Sequence, residues 1–160
     1  MLDRILAAMV EAAGKVEVAG AAPAAESTEL VVVSSLAEGA DRIVAQAGLA
    51  AGFRLHVVLP LSRTEYARDF ATQASRAAFE RLLDRASAVF ELQGAADERP
   101  RAYEAAGLFM LANIDLLIAI WDGEAAAGVG GTAEIVNRAI ADGILVVWLE
   151  PKNPNAIQVS

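Results

Sequence analysis

Four short runs in this chain carry almost nothing but apolar side chains: "LVVVS" (30–34), "RLHVVLPL" (54–61), "DLLIAIWDG" (115–123) and "ILVVWLEP" (144–151). A strand wetted on one face alternates apolar and polar residues, because successive side chains point to opposite faces. These runs do not alternate, so each needs cover on both faces, which the parallel sheet of an α/β domain supplies. "SAVFELQG" (87–94) reads as a further strand.

Helical patterns separate the runs. Residues 2–13 place Leu2, Ile5, Leu6, Met9 and Val10 at helical spacing, with Gly14 as the expected stop. Further helices are expected over about 40–51, closed by Gly52, over 62–86 with a break near Ala71, over about 100–112, and over 132–141 before Gly143. "VEVAGAAPAAESTE" (16–29) is rich in Ala, Gly and Pro and reads as a loop. This order predicts a doubly wound, mostly parallel, Rossmann-like α/β sheet of about five strands in three layers. A single domain is expected over 1–151, with 152–160 as an unstructured tail.

Composition closes several functional classes. Apolar residues make up 56% of the chain, yet no run reaches the roughly 18–20 residues of a membrane span. The amphipathic start "MLDRILAAMVEAAGK" contains acids and lacks a secretion signal, so a cytoplasmic protein with no membrane partner is expected. With no cysteine there is no disulfide, thiolate zinc site or cysteine nucleophile. The net charge of −8, with arginines scattered among acids, argues against bulk nucleic-acid binding. A small anion remains possible, because backbone N–H groups at a helix start bind it without net positive charge.

In a doubly wound fold ligands sit beyond the carboxyl ends of the strands. Three stretches converge there: Ser34-Ser35-Leu36-Ala37-Glu38-Gly39, Pro60-Leu61-Ser62, and Trp121-Asp122-Gly123 with the loop that follows. In that loop Gly128, Gly130, Gly131 and Thr132 fit an anion cradle at a helix start, or a flexible connector ending in a Thr cap. The same residues spell G-x-G-x-x-A, with Glu150 as a ribose-binding acid, but "DGEAAA" separates them from their strand. Ser34, Ser35, Glu38 and Gly39 form a second ligand wall or a capped turn. Asp41 can complement a helix dipole, and Arg42 can be a surface ion pair or a phosphate clamp. Asp122 and Glu124 can hold ribose hydroxyls, or Mg2+ bridging to a phosphate, or simply be solvated. Trp121 can stack a base or pack into the core. Tyr66, Arg68 and Asp69 form a lid or an exposed helix face, and His56 reads as structural.

"SSLAEGADRIVA", "VVLPLSRTEYARDF", "DLLIAIWDG" and "GVGGTAEIV", in this order over roughly residues 30–150, resemble the SLOG superfamily of Rossmann-like nucleotide-handling domains. That group includes the LOG enzymes and the DNA-processing protein A domain. The resemblance implies a small-molecule nucleotide or nucleotide-derived ligand, its phosphate or ribose at the glycine loop. Members of the LOG branch hydrolyse the N-glycosidic bond of nucleoside 5'-monophosphates, using a Glu three positions past the loop threonine and an Arg-Lys pair on the preceding helix. Here that position is Ile135, Glu134 comes one residue early, and "AGLFMLANID" contains no basic residue. The expected function is therefore ligand sensing, with Glu134 among the ligand-binding residues. Phosphoribohydrolase activity through Glu134 or Glu38 is the alternative.

Relatives of this kind open with a central strand, whereas this sequence starts at what looks like the helix after it. Either the chain is truncated relative to such relatives, or an open sheet position is filled by rearrangement or by a partner chain. Self-association as a homodimer or higher oligomer follows from it and from the apolar face of the first helix.

Overall fold

The computed structural model describes residues 1–19, 29–122 and 131–159. The elements are α1 (Leu2–Ala19), β1 (Val31–Ser34), α2 (Ala40–Ala50), β2 (Arg54–Leu59), α3 (Arg63–Tyr66), a 3-10 turn (Ala67–Asp69), α4 (Gln73–Leu83), β3 (Ala88–Glu91), α5 (Arg99–Leu111), β4 (Leu116–Ile120), α6 (Thr132–Ala141), β5 (Leu145–Glu150) and β6 (Asn153–Val159).

Local chemistry sets most of these boundaries. Gly52 and Gly143 follow α2 and α6 at φ +90° and +75°. Each ends its helix in a Schellman turn, with Phe53 N–H bonded to the Gly48 carbonyl and Ile144 N–H to that of Ala139, both at 2.9 Å. Gly14 does not stop α1, which continues to Ala19. A glycine ends a helix by turning to positive φ, and Gly14 is not among those that do. The stretch 62–86 divides because it holds two caps: Ser62 Oγ accepts from Glu65 N–H, and Thr72 Oγ1 from Ser75 N–H. Phe70 between them is extended.

The chain is α/β with parallel pairing, but among the described residues the strands pair as two sheets rather than the expected single five-stranded one. One sheet has the order β1-β2-β3, all parallel, and a second has β4-β5-β6, with β4 and β5 parallel. The expected tail is also corrected: β6 pairs antiparallel with β5, Val147 opposite Val159 and Trp148 opposite Gln158. Each sheet has its own core. Leu55, Val57 and Leu59 of β2 meet Leu36, Phe70 and Phe79 in the first, whereas Ala119, Val136 and Val146 centre the second. Helix α2 touches β1, β2 and β4, and so ties the two sheets together.

Candidate ligand-binding site

The turn after β1 is built by its own side chains. Ser34 is buried; its Oγ accepts from Leu36 N–H at 3.0 Å and donates to Asp41 Oδ2 at 3.4 Å. Asp41 Oδ2 also accepts from Ala37 N–H. Leu36 sits at φ +58°, the one non-glycine residue at positive φ among those described, with its side chain fully buried. Such a conformation persists only where the surroundings over-determine it. Arg42 supplies part of that constraint, donating from Nε to the Leu36 carbonyl at 2.9 Å.

Arg42 corrects one of its sequence readings. It is not a surface ion pair: it is buried, bonds the carbonyl and hydroxyl of Ser75 at 3.0 and 2.8 Å, and lies 4.3 Å from the Phe70 ring centre. Ser75 in turn donates to the Glu38 carboxylate. The β1–α2 turn is thereby bolted to the first turn of α4.

A cavity of about 480 Å³ opens beyond the carboxyl ends of β1, β2 and β4. Ser35, Glu38 and Asp41 line it from the β1–α2 side, and Ile120 and Thr132 from the β4–α6 side. Tyr66, Phe70 and Tyr103 form an aromatic wall. Their rings meet edge-on, Tyr66 lying 5.2 Å from Phe70 and 6.4 Å from Tyr103. Tyr103 donates to Asp69, which also pairs with Arg99 at 2.7 Å. Tyr66 is thus a buried part of the cavity wall, while Arg68 is exposed and pairs with Glu65.

Two helices start at this cavity, α2 at Gly39 and α6 at Gly131, each with a glycine at its N-cap that has no side chain to cap it. Their first N–H groups carry the positive end of the helix dipole. Burial pushes the Asp41 carboxyl above the usual carboxylate range, opposed by its bonds to Ala37 and Ser34. Burial also raises the Tyr66 and Tyr103 phenols, with Asp69 adding to the effect at Tyr103, so both present neutral hydroxyl groups at neutral pH. Each carboxylate lining the cavity is engaged: Glu38 with Ser75, Asp41 with Ala37, Asp69 with Tyr103.

Of the residues singled out in the sequence, Ser35, Glu38 and Thr132 line this cavity together. Ser34 lies just below, in the turn that shapes it, and Gly39 is the exposed N-cap of α2 at φ +91°. Gly131 caps α6, and Glu134 is half-buried in its first turn without lining the cavity; Ile135 lines it instead. Asp122 is exposed past the end of β4 and is not a lining residue. Gly123, Glu124, Gly128 and Gly130 lie outside the described residues. Among the described residues no three His, Asp or Glu gather as a metal site. Trp121 stacks on Trp148, ring centres 5.0 Å apart, and Trp148 Nε1 donates to the Trp121 carbonyl. His56 meets the edge of Phe90 in the sheet.

Phe70 and Tyr103 escaped the sequence reading. Phe70 adjoins the helix break near Ala71, which was a usable signal, whereas Tyr103 on α5 had none. No protein-family model matches the chain, and no curated protein is similar to it in sequence. No helix among the described residues is long and apolar enough to cross a membrane.

Proposed function

We propose that this chain is a nucleotide-binding or nucleotide-derivative-binding domain of SLOG type, whose site holds its ligand without cleaving it. The carrying observation is the convergence of two helix starts, each with glycine at its N-cap, on one aromatic-walled cavity beyond the strand ends. The aromatic wall suits a base, and Glu38 and Asp69 suit ribose hydroxyls or an exocyclic amine. The phosphate belongs at Gly131-Thr132, because carboxylates line the rest of the cavity and repel it. The order of motifs shared with that superfamily supports the same reading.

Binding rather than hydrolysis is favoured by the engaged carboxylates and by the apolar Ile135 facing the cavity. In the hydrolytic alternative Glu38, which lines the cavity, would act as the acid in preference to Glu134, which does not. Self-association completes the proposal: Val89 and Phe90 are exposed on β3, at the edge of the first sheet. A dimer in light scattering, lost in Phe90→Glu, is the expected result.

The test is incubation with AMP, NAD and ADP-ribose, reading the melting temperature and chromatographing each mixture for free base. A melting shift without base is expected, abolished by Thr132→Glu. That change puts a carboxylate where the phosphate belongs, while an acid in the first turn leaves the helix itself stabilised. Release of base would establish the hydrolase, and no shift with any nucleotide would overturn the site.

A further inference from the structure

The two most apolar strands of the chain are not the best buried. Val31, Val32 and Val33 of β1, and Leu116, Leu117 and Ile118 of β4, are all only half-buried, whereas Leu55, Val57, Val58 and Leu59 of β2 are fully enclosed. The difference lies in pairing. Strand β2 has a neighbour on each side, while β1 pairs only with β2 and β4 only with β5 among the described residues. The two free edges flank one cavity, also about 480 Å³, lined along the whole of β1 and by Leu116, Leu117 and Ile118 of β4.

Residues just ahead of both strands line this slot: Glu29 and Leu30 precede β1, and Ile114 and Asp115 precede β4. Both carboxyl ends point towards the ligand cavity, lined by Ser35 and Ile120. The two strands therefore run in the same sense. Apolar side chains close the slot from two helix pairs, with Leu6, Met9 and Val44 from α1 and α2, and Met110 and Ile135 from α5 and α6.

We propose that this slot docks one extended segment of a partner polypeptide, four or five apolar residues long, inserted parallel to β1 and β4 and preceded by a basic residue. A strand is the occupant because both walls are sheet edges, each offering main-chain N–H and C=O groups that a small apolar molecule leaves unsatisfied. The length follows from the four residues of β1 and the five of β4. Side chains on both faces of the insert meet apolar groups, so its sequence is continuously apolar rather than alternating. The basic flank follows from exposed Asp115, just ahead of β4, in an acidic chain. A second copy is the poorer occupant: its described strands are all already paired. An insert would join the two sheets into one and end at the rim of the ligand cavity.

The probe is acetyl-Lys-Val-Ile-Val-Val-Gly-amide, compared with the same peptide N-methylated at alternate residues and with a Glu-flanked version. The readout is amide hydrogen exchange of the whole protein. The Lys peptide is expected to slow exchange at least tenfold at those amides of β1 and β4 that do not face β2 and β5, leaving β3 unchanged. The N-methylated peptide is expected to give no protection. Asp115→Lys is expected to weaken binding about two- to fivefold, as an exposed charge pair does. Equal binding of the N-methylated peptide would reduce the slot to a greasy cavity and overturn the proposal. So would absence of protection, or protection that grows with protein concentration alone, which would make a second copy the occupant.

Discussion

Arg42 keeps a guanidinium inside the first core by bonding it to Leu36 and Ser75 and laying it over Phe70. Removing it strands the Leu36 carbonyl at the strained point of the turn. Arg42→Met is expected to lower stability by about 1–3 kcal/mol, read from urea unfolding. Arg42→Lys does not rescue this, because an ammonium lacks the planar fork that reaches both partners. Asp41, next to it, links stability to pH. Its folded pKa is raised by burial, so its protonated form is favoured by folding; that contribution is complete below the ordinary value of 3.8 and is lost as pH rises through the folded value. Asp41→Asn, which cannot ionise, is thus expected to gain stability relative to the native protein as pH rises above 3.8, in urea midpoints measured across that window. At Gly94 an added Cβ would overlap the Pro60 carbonyl oxygen and lie 2.5 Å from Ala102 Cβ. Backbone and packed side chain cannot both yield, so Gly94→Ala is expected to destabilise by about 1–3 kcal/mol.

At the scale of elements, β6 covers the free edge of β5, with the register shifting between Leu149 and Glu150. Pro154 lies on this edge strand, where its missing N–H is tolerated. A chain ending at Lys152 leaves the β5 edge bare and is expected to melt lower and associate with rising concentration, seen by calorimetry and light scattering. Why β6 was illegible is clear from "NPNAIQV": two Asn and a Pro read as turn, and only pairing with β5 makes them a strand. Runs such as "LLIAI" were legible because burial on both faces leaves its mark in each residue. The division into two sheets was not, since pairing between β1 and β4 is a matter of distance across the fold, which periodicity does not encode. At the site the same contrast holds. Ser35, Glu38 and Thr132 follow from the rule of strand ends, while Tyr103 reaches the cavity only through the packing of α5.

For the molecule as a whole, the two cores are unequal. Twelve buried side chains make up the first and five the second, among the described residues. Local opening follows the thinner core, so amides of β2 are expected to exchange more slowly than those of β4 in native-state hydrogen exchange. The proposed ligand, held between α2 and α6, would touch helices packed on both sheets, and at a hundred times its Kd would add about 2.7 kcal/mol to the stability of the folded form. The paired indoles have an optical consequence. Trp121 and Trp148 are the only tryptophans of the chain, and their rings lie 5.0 Å apart at an angle of 32°. Transition dipoles held that close and tilted couple as excitons, giving a split far-ultraviolet dichroism band of fixed sign. That band reports on the carboxyl end of β4 in the native protein without any added label.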